Sequence, residues 1–396
     1  MLRGIFSSET YAETRRPLAE ASTLPHWCYH DPEWYAREEE TILKREWLCV
    51  GRVDQVPSPG DFYTIPVLGH PLIVVRDDAG EVNVLTAICR HRGAVIAEDA
   101  QRTRCRAFIC PYHGWTYGLD GGLISTPGNP PPLAGVKNFA HSDNGLVRMR
   151  SDVWAGFLFV TFDPDAPPLL KNLGDLPALL RNYHVEDMQF THRDVYEVDC
   201  NWKVWLENAF ESYHAMIVHR KHMDPANPQV WQHETGAGFI SMYSERSAVA
   251  YSGLPNLPGL SKKESVGLYH VWVPPTLQLI VTPSYLKYRQ YLSEGPEKLR
   301  LIENWSFPKS TIGTTEFEET VGPAYYDRYN QIIHEDLSLA PVVQRGLRSG
   351  GFKPGRYTLD EYIVHGIGNY VLDRVVGPDE ARSRARRASV MLQAAD

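Results

Sequence analysis

The chain has 396 residues, 43% hydrophobic and 22% charged, the balance of an ordinary globular protein rather than a disordered or fibrous one. Its formal net charge is -8 and it has no basic run, which argues against a nucleic-acid partner. No stretch approaches the ~18 apolar residues needed to cross a bilayer, and the N-terminus MLRGIFSSETYAETRRPL lacks an apolar core with a cleavage site. A cytoplasmic protein with no membrane partner is expected.

In chain order, residues 31–47, DPEWYAREEETILKREW, open with Asp-Pro and set Trp34, Ile42 and Leu43 among charges, which predicts a helix. From Trp47 to about Phe162 the texture changes. Short runs (FYTIPV, PLIVVRD, EVNVLTAI, RAFI, FLFVTF) alternate with the turns SPGD, DDAG and LDGG, the pattern of a small antiparallel β domain. DPDAPPLL at 163–170 reads as a linker. Beyond it, helical segments at 201–216 and 324–349 mix with strand-like runs at 270–283, 287–295 and 298–307, so the fold class is α+β. The N-terminal helix is expected to pack on this second domain. The β domain, 45–165, is then an insertion into a domain made of 1–44 and 166–396.

The six cysteines, at 28, 49, 89, 105, 110 and 200, are too sparse for a disulfide framework. Two of them belong to a pattern. ICRHRGAVI and CPYHGW supply Cys89 and His91, then Cys110 and His113, each pair after a β-like run and followed by Gly93 or Gly114. Two thiolates and two imidazoles can make tetrahedral zinc, although zinc fingers usually pair Cys with Cys and His with His along the chain. One Cys and one His from each loop suits a two-iron cluster with both thiolates on one iron and both imidazoles on the other. Imidazole removes negative charge and raises such a cluster to roughly -150 to +300 mV, a mild one-electron relay. The two glycines would let backbone N–H groups approach the sulfides.

The second constellation lies in ENAFESYHAMIVH, residues 207–219. On a helix Glu211 and His214 share a face. His219 does not, so a shared site requires the helix to end or bend between Ile217 and His219. Two His and one carboxylate on one face of Fe(II), with other positions open, form an oxygen-activating site. The carboxylate could be Glu211 or, downstream, Glu335 or Asp336. A di-iron site needs two Glu-x-x-His motifs, and only one is present, so a single iron is favoured. Aromatic residues concentrated at 205–235 and 269–305 (Trp231, Tyr269, Trp272, Tyr288, Trp305) are candidates for a pocket lining, with core packing the commoner role for each.

Together the two motifs resemble the α subunits of Rieske non-haem iron oxygenases, over nearly the whole chain from about Trp47 to about Tyr370. The resemblance implies a small antiparallel β Rieske domain inserted into a helix-grip-like catalytic domain, whose central antiparallel sheet is flanked by helices. It implies a [2Fe–2S] cluster on Cys89, His91, Cys110 and His113, and Fe(II) on His214, His219 and Asp336, the last within EDLSLAPVVQRG. Glu335 would face away. Glu211 would bridge His214 to His113 of an adjacent subunit, which implies a head-to-tail ring, usually a homotrimer, with or without a small β subunit.

With no Gly-x-Gly-x-x-Gly after a strand and no second ferredoxin-type cysteine set, electrons are expected from a separate ferredoxin or reductase that draws on NAD(P)H. The implied function is a terminal oxygenase that uses O2 to hydroxylate an aromatic or related small molecule. Oxidative N- or O-demethylation on the same iron is the alternative. Ring-oxidising members usually carry Asp at the bridge, whereas Glu211 matches relatives that act on quaternary ammonium compounds; the wording ENAFESYHAMIVH looks equally like the group acting on aromatic carboxylates.

Overall fold

The computed structural model describes residues 4–98, 103–128, 133, 135–222, 230–245 and 254–378, so the extreme ends of the expected second domain lie outside the described residues. The short runs between turns form ten strands in the first half of the chain. They are β1 (Leu48–Arg52), β2 (Asp61–Val67), β3 (His70–Arg76), β4 (Val82–Thr86), β5 (Thr103–Arg104), β6 (Phe108–Ile109), β7 (Thr116–Tyr117), β8 (Leu123–Ser125), β9 (Arg150–Trp154) and β10 (Phe157–Thr161). They pair antiparallel in the orders β4-β3-β2-β5, β1-β10-β9 and β6-β7-β8.

The second half builds one seven-stranded antiparallel sheet from β11 (Met188–Val198), β12 (Gln232–Gly236), β13 (Phe239–Glu245), β14 (Gly267–Val273), β15 (Leu277–Val281), β16 (Leu286–Gly295) and β17 (Lys298–Pro308). Its order is β11-β17-β16-β15-β14-β13-β12. The run 270–283 is not one strand but a hairpin of β14 and β15. Pro274 and Pro275 cannot donate to a ladder, and the chain turns back there. The helices are α1 (Pro32–Glu38), α2 (Leu169–Leu173), α3 (Leu176–Leu179), α4 (Trp202–Ala209), α5 (Ala215–Val218), α6 (Lys262–Val266), α7 (Gly322–Arg348) and α8 (Tyr362–Val375). Asp31 caps α1 by accepting from the N–H groups of Glu33 and Trp34, and Pro32 fits its first position.

Side chains alternate across the large sheet, so each face has its own partner. One face, with Tyr243, Tyr269, Val271, Leu279 and Tyr288, packs on Trp47, Phe157 and Phe159 of the β domain. The other, with Met242, Trp272, Tyr291 and Leu301, packs on α4, α7 and α8 through Trp205, Ile333 and Ile367, and on Tyr11, Leu24 and Trp34 from the N-terminal segment. The chain therefore contributes its N-terminus to the helix side of the sheet, leaves to build the β domain over the opposite face, and returns.

One fully buried ion pair secures that return. Lys203 on α4 lies 2.6 Å from Glu38 at the end of α1, and the indole N–H groups of Trp34 and Trp202 also donate to that carboxylate. Deleting one partner of such a pair costs about 3–5 kcal/mol, since the other is left charged and buried. Among the described residues no helix is long and apolar enough to cross a membrane.

Candidate metal centres

The tips of two loops carry the first constellation. In each, the glycine after the His takes a left-handed conformation (Gly93 φ 75°, Gly114 φ 71°) and its N–H closes the loop on the Cys carbonyl, Gly93 to Cys89 and Gly114 to Cys110, both at 3.0 Å. A Cβ at Gly114 would meet Pro127 at 2.8 Å, so the second loop has no room for a side chain there. The loops come together as the sequence requires. Both thiols are buried, both imidazoles are exposed, and the two Nδ1 atoms lie 3.1 Å apart. His91 stacks on Trp115 at 4.8 Å, which fixes its ring plane.

Burial raises the Cys89 thiol, but hydrogen bonds from the Tyr117 hydroxyl and from backbone N–H groups of His91 and Arg92 outweigh it and hold the thiol below its ordinary pKa. A sulfur so surrounded is prepared to be a thiolate. The backbone N–H groups that reach the Cys89 sulfur are those of His91 and Arg92, while those of Gly93 and Gly114 close the loops.

The second constellation depends on a break in a helix. The segment 201–216 is not continuous: α4 stops at Ala209, residues 210–214 turn, and α5 runs only over Ala215–Val218 with His219 at its C-terminal cap. The expected end before His219 is present, and the earlier break adds a second change of direction. Glu211 stabilises it by accepting from the backbone N–H of His214 at 3.0 Å, while its other oxygen holds Nδ1 of the same residue.

Nε2 of His214 then faces Nε2 of His219 at 3.3 Å. From α7, Oδ1 of Asp336 reaches to 3.6 Å from the first and 3.2 Å from the second. One ligand atom from each of the three residues lies within 4.8 Å of the others. Oδ1 of Asp336 is buried and makes no hydrogen bond, an orphaned acceptor aimed at two imidazole nitrogens, which fits a bound cation. Burial raises the Asp336 carboxyl, yet His219 and His214, with Arg289 beyond them, hold it below its ordinary value.

Glu335 does not face away. Its carboxylate holds Nδ1 of His219 at 2.9 Å, the kind of outer partner that fixes the ring of a metal-binding imidazole. Each His is thus backed by its own carboxylate, Glu211 or Glu335. Of the aromatic candidates, Tyr269 and Tyr288 belong to the core against the β domain. Trp272 lies on the helix side with Trp231 packed against the same core, and Trp305 is fully buried beside Tyr329.

Two family models match the chain, the Rieske [2Fe-2S] domain over residues 46–140 and the ring hydroxylating alpha subunit (catalytic domain) over residues 185–377. The chain belongs to the Rieske ring-hydroxylating oxygenases, as an α subunit. Relatives of this Rieske oxygenase include the chloroplastic choline monooxygenase of Spinacia oleracea, 26% identical over 87% of this chain and 76% of that protein. The carnitine monooxygenase oxygenase subunit of Escherichia coli (strain K12) is 24% identical over 89% and 92%. The fold is shared with the quaternary ammonium Rieske monooxygenase CntA bound to L-carnitine (TM-score 0.74, 22% identity, 89% and 96% covered). It is shared equally with naphthalene 1,2-dioxygenase from Rhodococcus sp. bound to indole (TM-score 0.76, 21% identity, 94% and 99% covered).

As a Rieske oxygenase the chain is an oxidoreductase that works with O2 and an electron-transfer partner, and it takes a [2Fe–2S] cluster and a non-haem iron. The cluster supplies electrons one at a time, and the iron supplies the chemistry of O2. Three features escaped the sequence reading: the back-bonding role of Glu335, the Tyr117 hydroxyl 3.1 Å from the Cys89 sulfur, and a polar row on β15–β17 facing the helices. Only the last had a readable signal, in charged residues at alternate positions of strong strand runs.

Proposed function

We propose that the chain is the terminal oxygenase of a system that oxidises a small methylated ammonium compound. In this reading Cys89, His91, Cys110 and His113 hold the cluster within a domain spanning 45–165, and His214, His219 and Asp336 hold the iron within 1–44 and 166–396. The observation that carries it is the orphaned Asp336 oxygen turned on two Nε2 atoms whose opposite nitrogens are each tied to a carboxylate. The substrate class is supported by the choline and carnitine monooxygenases among the relatives and by Glu, rather than Asp, at position 211.

Glu211 is the proposed link between centres. It already holds Nδ1 of His214 in its own chain, and His113, exposed at a loop tip, is free to reach it from a neighbour. Exposed apolar side chains flank both ends of that link, Ile109 and Tyr112 beside the cluster loops, Tyr213 and Ile217 beside the iron site. They support a head-to-tail homotrimer. The six cysteines are all free, consistent with a reducing, cytoplasmic compartment.

The test is anaerobic reduction of the iron-loaded protein, followed by O2 in the presence of choline, glycine betaine, carnitine and a set of aromatic acids. Formaldehyde release or a gain of one oxygen on an ammonium compound supports the reading. Two oxygens added to an aromatic ring, with the ammonium compounds untouched, moves the substrate class to ring hydroxylation.

A further inference from the structure

The helix-facing side of the large sheet carries charges where a sheet centre is normally apolar. On β16, Lys287 and Arg289 point toward the helices; on β17, Trp305 and Glu303 stand opposite them, and Gln278 on β15 pairs with Arg289. Arg289 donates through Nε to Glu303 at 2.5 Å and through Nη1 to Gln278 at 3.4 Å. Its other terminal nitrogen makes no hydrogen bond among the described residues. Lys287 is 1% exposed, 3.3 Å from the same Glu303 oxygen but outside hydrogen-bond geometry, with its ammonium 3.8 Å above the Tyr329 ring.

Two cations therefore share one carboxylate. The next acid on that face, Asp194 opposite Glu303, is engaged by His192 at 3.0 Å. Burial first, and the neighbouring Arg289 next, pull the Lys287 ammonium down to about 7 against the attraction of Glu303. The sheet itself thus supplies one carboxylate for two cations, and the other acid whose charge reaches both, Asp336, is turned to His214 and His219.

Position indicates the use. The side chain of Gln278 reaches the carbonyl of Ala209, the last residue of α4, at 3.4 Å, so Arg289 lies one side chain from the break that bears Glu211 and His214. Its charge is also near enough to act on Asp336. Arg289 remains 8% exposed although β16 is a central strand covered on both faces. Its side chain stands on the face of the sheet that packs on α4 and α7, the face toward the iron site. A planar guanidinium with an unused edge is matched to a carboxylate.

We propose that Arg289, backed by Lys287, is the subsite for a carboxylate on the substrate, and so selects ammonium acids over amino alcohols and neutral rings. This rests on reading His214, His219 and Asp336 as the oxygenation site. Glu303 remains paired to Lys287 if Arg289 is removed, so Arg289→Gln leaves one cation with one anion and should not unfold the sheet.

The test is calorimetric binding to the anaerobic, iron- and cluster-loaded enzyme, with matched pairs that differ only in charge: 4-(trimethylammonio)butanoate against its carboxamide, and benzoate against benzamide. In at least one pair the acid should bind roughly 10–100-fold tighter than the amide, about the range of one hydrogen bond to a charged group. Arg289→Gln should erase that preference and leave amide affinity unchanged in protein that circular dichroism shows to be folded, and Arg289→Lys should restore part of it. Equal binding of acid and amide in the wild type, no binding of either acid, or a variant that weakens acids and amides alike overturns the subsite. A retained acid preference with no oxidation of any bound compound would leave the subsite standing and sink the proposed reaction instead.

Discussion

The two centres use the same residue type in opposite ways. At the cluster loops the sulfurs are buried and the imidazoles of His91 and His113 lie at the surface, with no carboxylate hydrogen-bonded to either among the described residues. At the iron site the imidazoles of His214 and His219 turn inward, and three carboxylates surround them, Glu211, Glu335 and Asp336. An exposed imidazole edge lets an electron enter and leave by contact with another protein. An enclosed one, with its second nitrogen held by a carboxylate, would fix the geometry of an iron bound there. The expectation is that the iron site depends on its carboxylates, whereas the cluster depends on hydrogen bonds to sulfur.

The largest effect that would break this contrast is at Asp336. In Asp336→Ala the mononuclear iron should be lost and turnover should fall below detection, while visible absorption and spin resonance of the cluster persist. Iron analysis before and after brief treatment with a chelator gives the same separation in the wild type, the third iron leaving before the other two. Parallel loss of both signals would show the two centres to be one folding unit rather than two independent sites.

A smaller effect separates the two backing carboxylates. Outer partners of metal-bound imidazoles are worth about 10–100-fold in metal affinity or activity. Glu335→Gln should weaken Fe(II) binding by that order in an equilibrium titration, because His219 loses the acceptor that fixes its ring. Glu211→Gln should instead keep both metals and lose about 10–100-fold in turnover, with the cluster staying reduced after O2 is admitted. If both variants lose iron equally, Glu211 is only a support for His214 and has no part between subunits.

Much of this was legible in the chain. Cys-x-His and Cys-x-x-His followed by glycine announce two matching loops, since the spacing and the left-handed glycine are local properties. His214, His219 and a downstream acid were also readable, because metal ligands are few and chemically distinct. What was not readable came from contacts between elements far apart in sequence. Glu335 and Asp336 are adjacent on one helix, and only the placement of α7 against the turn at 210–214 shows that both face the histidines. The strands β11 and β12 were missed for a related reason. MQFTHRDVYEV and QHETG carry too many polar residues to stand out, being half-exposed near the edges of the sheet.

The smallest effect sharpens the cluster side of the contrast. Tyr117 is fully buried, its hydroxyl accepts the N–H of Arg90 at 3.0 Å, and it lies 3.1 Å from the Cys89 sulfur. With the backbone donor occupying the oxygen and the sulfur present as a thiolate ligand, the phenolic proton can only point at sulfur. A hydrogen bond to a ligating sulfur stabilises the reduced, more negative cluster and so raises its potential. Tyr117→Phe conserves ring volume within its apolar cluster and removes only that donor. A loss about 1.4 kcal/mol larger in the reduced state than in the oxidised one, near the top of the range of about 0.5–1.5 kcal/mol for one ordinary hydrogen bond, is tenfold in a one-electron equilibrium and lowers the potential by about 59 mV. A titration followed by spin resonance reads it directly, with iron content unchanged. A potential that does not move would mean that the backbone N–H groups of His91 and Arg92, not the phenol, set the charge on that sulfur.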